Sequence, residues 1–78
     1  MMIIKILGTG CPKCKKLEEE ARRAVEESGI EAQVVKVSDI DAIMEMGVMM
    51  TPALAIDDEV KISGRVASKD EILKLLKG

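Results

Sequence analysis

The sequence contains no phenylalanine, tyrosine, tryptophan or histidine, and only two of its 78 residues are cysteine. Without aromatic rings the chain cannot stack on nucleic-acid bases, and its net charge of −2 offers no basic surface to a phosphate backbone. Without histidine it lacks the usual general base at neutral pH and any zinc site built from cysteine and histidine. These absences argue against a nucleic-acid-binding protein and against a self-contained zinc protein.

Long hydrophobic runs are also missing from the sequence. No segment approaches the roughly 20 apolar residues of a membrane-spanning helix. The opening run of residues 1–7 is too short for the core of a signal peptide. We therefore expect a cytoplasmic protein without membrane contact, and its length predicts a single domain over residues 1–78.

The periodicity of apolar residues predicts an α/β fold with the element order βαβαββα. The predicted strands cover residues 2–7, 30–37, 52–56 and 60–63, and the predicted helices run from Pro12 to a Gly29 cap, over 39–46 and over 69–77. The first strand–helix–strand unit favours two parallel strands, and the later hairpin adds two antiparallel ones. We predict a four-stranded mixed sheet flanked by helices. Ser38 with Asp41, and Ser68 with Glu71, have the spacing of capping boxes for the second and third helices.

The two cysteines carry the most distinctive chemistry. Cys11 and Cys14 form a Cys-Pro-Lys-Cys motif between the first strand and the first helix, so Cys11 is the predicted N-cap residue. Side chains three positions apart on a helix are neighbours, and a disulfide between them needs only a small adjustment. The helix N-terminus and three nearby lysines are expected to lower the pKa of Cys11, while Cys14 is more shielded. We predict that Cys11 attacks a disulfide and that Cys14 resolves the mixed disulfide.

Other interpretations of the pair stay open. A structural disulfide would close a very small loop and would constrain the unfolded chain little. A soft-metal chaperone is the stronger alternative, because two thiolates can hold Cu(I) or half of a zinc site. A redox-regulated interaction module without turnover is a third. The helical patterns at residues 39–46 and 69–77 favour an oxidoreductase over a metal carrier, because small heavy-metal carriers usually run βαββαβ and end in a strand.

The chain resembles the thioredoxin-like superfamily, and within it the small thioredoxin- or glutaredoxin-like redox-active disulfide proteins of archaea and bacteria. The resemblance covers essentially the whole chain and is carried by GTGCPKCKKLEEEARRAVEE, TPAL and ISGRVASKDEI. It implies a thioredoxin-like fold and a thiol–disulfide oxidoreductase with Cys11 and Cys14 as catalytic residues. It further implies no cofactor beyond their redox-active disulfide, protein disulfides as substrates, a reductase of thioredoxin-reductase type as partner, and a monomer.

The resemblance also implies residues that contact the substrate. Pro52, which opens the third strand, is expected to be cis and to lie against the cysteines. Thr51 is expected to offer backbone hydrogen bonds to a bound substrate strand. Gly10, Pro12 and Lys13 flank the cysteines and are further candidate substrate-binding residues.

Three departures from the family pattern change what is expected of the site. Gly10 stands where thioredoxins typically carry a tryptophan. Lys5 stands where they carry a buried acid, so a carboxylate base is missing from its usual place. Near the last helix, Gly64 is followed by Arg65 and Val66 rather than by the glutaredoxin pattern of a second glycine and an acid, so glutathione is disfavoured as a partner.

A cluster of methionines precedes the third strand: Met44, Met46, Met49 and Met50. Such residues can fill irregular gaps in a core or pack a loop. They can also form a soft apolar rim that recognises varied protein partners. Their thioethers can ligate Cu(I) beside the cysteines. The sequence leaves all three interpretations open.

Overall fold

The computed structural model describes residues 1–77 and confirms the predicted element order βαβαββα. The elements are β1 (Met2–Leu7), α1 (Pro12–Ser28), β2 (Ala32–Val37), α2 (Ile40–Glu45), β3 (Ala53–Ile56), β4 (Glu59–Ser63) and α3 (Lys69–Leu76). The strands lie in the order β2-β1-β3-β4; β1 and β2 are parallel, and β3 is antiparallel to both β1 and β4. The predicted four-stranded mixed sheet is therefore confirmed.

The alternation of side chains along β1 divides the core between the two faces of the sheet. Ile4 and Ile6 face α1 and α3, and the larger core on this side also contains Leu17, Ala21, Ala24, Leu54, Ile56, Ile62, Ala67, Ile72 and Leu76. Leu7 points to the other face, where the short helix α2 contributes Ile43 to a smaller core. Helix α1 thus lies against the sheet along its length, which fixes the direction of its N-terminus.

The ends of α1 and α3 agree with the predicted signals. Helix α1 begins at Pro12, and Gly29 caps its other end with the left-handed φ of 71° that the missing Cβ permits. Ser68 caps α3 by accepting a hydrogen bond from the Glu71 N–H at 3.2 Å. Helix α3 ends at Leu76, one residue earlier than predicted.

The predicted cap of α2 is wrong. Asp39, not Ser38, is the N-cap residue, and its carboxylate accepts the N–H of Asp41 at 3.2 Å. A short aspartate side chain at this position satisfies an unpaired N–H of the first turn, so the helix starts one residue later than a cap at Ser38 would place it. Ser38 instead lines a cavity beside Cys14.

Strand boundaries differ from the predictions by one or two residues. Strand β2 begins at Ala32 rather than Ile30, whose N–H donates to the hydroxyl of Ser28 at 3.1 Å. Strand β3 begins at Ala53 rather than Pro52, because proline has no N–H to contribute to the ladder.

The β3–β4 turn binds the side chain of Lys5, the lysine that stands in β1 where thioredoxins carry a buried acid. Asp57 and Asp58 both have a positive φ, 50° and 69°, as a two-residue turn of type I′ requires. The ammonium of Lys5 donates to the carboxylate of Asp58. This turn lies beside Ile3, which exchanges hydrogen bonds with Asp57 at the start of β1. The Lys5 ammonium is therefore held at the β3–β4 turn, near the start of β1 and away from the cysteines that follow its end.

None of the helices within residues 1–77 is long and apolar enough to cross a membrane.

Candidate active site

The two cysteines lie where β1 passes into α1 through a turn of Gly8, Thr9 and Gly10. Cys11 is the N-cap residue of the helix and is partly exposed, whereas Cys14 is only 5% exposed. Both are free thiols, and their sulfurs are 2.9 Å apart. The structure therefore brings the predicted pair into direct contact, with one sulfur outside and one inside.

The two thiols have pKa values shifted in opposite directions. The hydrogen bond from the Cys14 thiol is the largest cause that lowers the pKa of Cys11, and the backbone N–H of Cys14 adds to it. Burial is the largest cause that raises the pKa of Cys14, followed by its hydrogen bond with Cys11. The direction at Cys11 is the one predicted, but a sulfur and backbone groups, rather than the lysine charges, are its main causes. The outer thiol is thus the more acidic one.

Gly8 is a site residue that the motif does not indicate. A Cβ added at Gly8 would overlap Cys14 Sγ, and it would lie 3.3 Å from Cys14 Cβ and 3.9 Å from Pro52 Cα. The absence of a side chain at Gly8 therefore lets Cys14 pack directly on the end of β1. A glycine at a strand end is itself a general signal of such a close approach.

The Thr51–Pro52 segment also lies near Gly8. The peptide bond between the two residues is cis, as the resemblance implied, and Pro52 is fully buried while Thr51 is exposed. The Pro52 carbonyl accepts a hydrogen bond from the N–H of Gly64 at 2.9 Å. Because Gly8 contacts both Cys14 and Pro52, these residues form one compact group.

The remaining candidate residues, Gly10, Pro12 and Lys13, are exposed beside Cys11. Pro12 and Lys13 are exposed in the first turn of α1. Gly10 has a φ of 92°, which favours glycine, and a Cβ built there meets no atom within 4 Å. The space beside Gly10, where a larger side chain is expected in thioredoxins, is therefore open.

Most of the methionines belong to the surface. Met44, Met49 and Met50 are 66%, 96% and 64% exposed, so core filling does not apply to them; Met46 alone of the cluster packs against the smaller core. Met44 and Met49 border a groove of about 560 Å³, here called the methionine groove, which is lined by Thr9, Ile40, Ile43, Met44, Gly47, Val48, Met49 and Thr51. The groove reaches the turn that carries the cysteines.

A second cavity opens on the other side of the same turn. This α1–β2 cavity has a volume of about 290 Å³ and is lined by Ile6, Gly8, Thr9, Gly10, Cys14, Lys15, Glu18, Lys36 and Ser38. The Glu18 carboxylate accepts hydrogen bonds from Arg22, at 2.8 and 3.1 Å, and lies 3.2 Å from Lys36 Nζ. These two cations lower the pKa of Glu18, with the Arg22 hydrogen bond the larger cause. Glu18 and Lys36 were not indicated by any motif.

Within residues 1–77, Cys11 and Cys14 belong to no cluster of three or more Cys, His, Asp or Glu side chains that could hold a metal ion. Any metal bound here would therefore depend on the two sulfurs and on groups from outside this set.

A βαβαββα fold with two cysteines in contact at the start of α1, and with a proline before β3, defines a thioredoxin-like protein of the thiol–disulfide oxidoreductase class. Residues 2–77 match the model of the thioredoxin domain family. The chain is 54% identical over 76 residues to a thioredoxin of Methanothermobacter thermautotrophicus, covering 97% of this chain and 99% of that protein. It is 47% identical over 77 residues to a thioredoxin of Methanocaldococcus jannaschii, covering 99% of this chain and 88% of that protein. The chain belongs to the thioredoxin family.

Proposed function

We propose that the protein reduces disulfide bonds in other proteins, with Cys11 as the attacking thiolate and Cys14 as the resolving thiol. The observation that carries this assignment is the asymmetry of the pair: the sulfurs are 2.9 Å apart, Cys11 is partly exposed, and Cys14 is buried. The outer sulfur is the more accessible of the two to a substrate disulfide, and it is the one whose pKa is lowered.

The proposed reaction proceeds in two exchanges. The Cys11 thiolate attacks one sulfur of the substrate disulfide, a mixed disulfide forms, and the other substrate sulfur leaves as a thiolate that takes up a proton. Cys14 then loses its proton and attacks Cys11 Sγ. The Cys11–Cys14 disulfide forms, and the second substrate thiolate leaves. Two electrons pass to the substrate, and no cofactor beyond the two sulfurs takes part.

The surroundings of the pair suit a protein substrate. The exposed Thr51 precedes Pro52, which lies near Gly8 and Cys14, and the Thr51 backbone can pair with an extended segment; Gly10, Pro12 and Lys13 are exposed beside Cys11. The methionine groove is also lined by Thr9 and Thr51. Its flexible thioether side chains can adapt to different apolar side chains of a partner.

The region that holds glutathione in glutaredoxins is arranged differently here. Met50 packs over Gly64, and a Cβ at Gly64 would lie 3.2 Å from Met50 Cβ. The Arg65 guanidinium is paired with the carboxylate of Glu71. Because this glycine is covered and this cation is already paired, we infer that a reductase of the thioredoxin-reductase type, rather than glutathione, restores the dithiol.

We further propose that the protein works as a monomer in the cytoplasm, where the prevailing thiol pool favours reduced cysteines. The soft-metal chaperone is the alternative use of the same two sulfurs. Work under metal-free conditions separates the two functions, because disulfide exchange needs no metal.

Trapping the mixed disulfide tests the proposal. With insulin as the disulfide substrate, Cys14→Ser should accumulate a covalent adduct through Cys11, because nothing can resolve it. Cys11→Ser should form no such adduct, and the double variant is the control for adventitious disulfides. Peptide mass spectrometry after alkylation locates the bond. An adduct that forms through Cys14 when Cys11 is absent, at the rate of the first variant, would reverse the assignment.

A further inference from the structure

The burial of Cys14 raises the question of where its proton goes. Only the thiolate form can attack the mixed disulfide, yet Cys14 is 5% exposed and the end of β1 at Gly8 lies directly against its sulfur. Cys11 occupies the outer side. Cys14 also lines the α1–β2 cavity, which therefore offers a path for its proton.

One carboxylate is placed in the wall of that cavity. Glu18 follows Cys14 by four residues on α1, so the two side chains project from the same face of the helix in adjacent turns. The Glu18 side chain is 13% exposed. Its carboxylate is held by Arg22 and Lys36, and the residue lines the cavity. A volume of about 290 Å³ admits several water molecules, and Thr9 and Ser38 add polar groups to the lining.

We propose that Glu18 accepts, through water in the α1–β2 cavity, the proton that Cys14 releases when it resolves the mixed disulfide. The inference depends on the proposed function of Cys14. In this step the Cys14 S–H bond breaks, its proton moves through water to the Glu18 carboxylate, and the sulfur electron pair forms the bond to Cys11 Sγ. The substrate sulfur leaves with the electrons of the broken disulfide. Glu18 later returns the proton to solvent. Because it acts through water, Glu18 is a positioning residue for proton transfer.

The charges that face Glu18 determine how strong a base it is. Arg22 approaches from its own helix, Lys36 from β2, and Lys15 lines the same cavity. Arg22 and then Lys36 lower the pKa of Glu18, which keeps its carboxylate ionised and ready to accept a proton but makes it a weaker base. We therefore expect a contribution of about tenfold to the resolving step, below the usual range for a general base in direct contact.

An aromatic disulfide reagent, 5,5′-dithiobis(2-nitrobenzoate), separates the two exchanges in one experiment. Attack by Cys11 releases the first coloured thiolate, and resolution by Cys14 releases the second. In a stopped-flow measurement at neutral pH, Glu18→Gln should slow the second phase about tenfold and displace its pH profile upwards, while the first phase is unchanged. Glu19→Gln is the matched control, because it makes the same change on an exposed side of α1 outside the cavity.

Lys36→Gln distinguishes proton transfer from simple electrostatics. Losing this cation should raise the pKa of Glu18 towards its ordinary value and make it a better base, so the second phase should be as fast as in the parent protein or faster. A slower second phase would mean that the cation, not the carboxylate, assists Cys14, and it would overturn the proposal. So would an unchanged or faster second phase in Glu18→Gln. A missing first phase in the parent protein would instead refute the proposed function.

Discussion

Replacing Gly8 by alanine would put a methyl group where the Cys14 sulfur now lies. The added carbon would overlap Sγ and come within 3.3 Å of Cys14 Cβ, and because Cys14 is nearly fully buried the sulfur cannot move away freely. Overpacking of this kind costs about 1–3 kcal/mol. For a domain of this size the melting temperature should fall by at least about 4 °C. Displacement of Sγ should also weaken the hydrogen bond that chiefly lowers the pKa of Cys11.

The assay for this variant combines a thermal melt with the pH dependence of Cys11 alkylation. In Gly8→Ala the alkylation profile of Cys11 should move to higher pH together with the loss of stability. Gly29→Ala is the control, because alanine there has open space but a strained φ of 71°, which costs about 1–2 kcal/mol far from the cysteines. The control should lose stability and keep its alkylation profile. If Gly8→Ala kept both its melting temperature and its profile, the close contact between Gly8 and Cys14 would be refuted.

Two further predictions concern the unmodified thiols and the methionine groove. Because the pKa of Cys11 is lowered and that of Cys14 is raised, the Cys11 thiolate forms first as the pH rises. Iodoacetamide should therefore label Cys11 alone over a pH window below the ordinary cysteine pKa. Equal labelling of both cysteines in that window would contradict the assignment. Replacing both Met44 and Met49, the two methionines that line the groove, by glutamine should raise the KM for insulin several-fold and leave alkylation of Cys11 unchanged. Glu45→Gln, an exposed change on α2 outside the groove, should alter neither, and an unchanged KM in the methionine variant would remove the groove from substrate binding.

The features that were predictable from the sequence are those with a local cause. The βαβαββα order follows from apolar periodicity, and the start of α1 follows from a proline at its first position. The pairing of Cys11 with Cys14 follows from their spacing on a helix turn. For α2, either Ser38 or Asp39 could serve as the N-cap residue. The capping-box spacing predicts Ser38, although Asp39 accepts the hydrogen bond from the Asp41 N–H. Local patterns therefore left one residue of ambiguity there.

The features that were not predictable depend on contacts between distant parts of the chain. Gly8 matters because β1 passes directly beneath Cys14, and Glu18 matters because β2 brings Lys36 to the same cavity. The exposure of Met49 and Met50 likewise follows from how little of the second sheet face the short helix α2 covers. Each requires the packed fold, because neither a glycine at a strand end nor the four-residue spacing of Cys14 and Glu18 shows by itself which residues meet in space.

In the proposed reaction, the contact between the two sulfurs also favours attack by Cys11 before Cys14. The hydrogen bond that lowers the pKa of Cys11 is among the causes that raise the pKa of Cys14, and the charge of Cys11 adds to the second effect. Once Cys11 is bound in a mixed disulfide, it carries no charge and no longer needs a proton from its neighbour. Both of these contributions to the pKa of Cys14 then disappear, and burial alone keeps it raised. Attack by Cys11 therefore makes Cys14 easier to deprotonate, so the resolving thiol becomes more reactive only after a substrate has been captured.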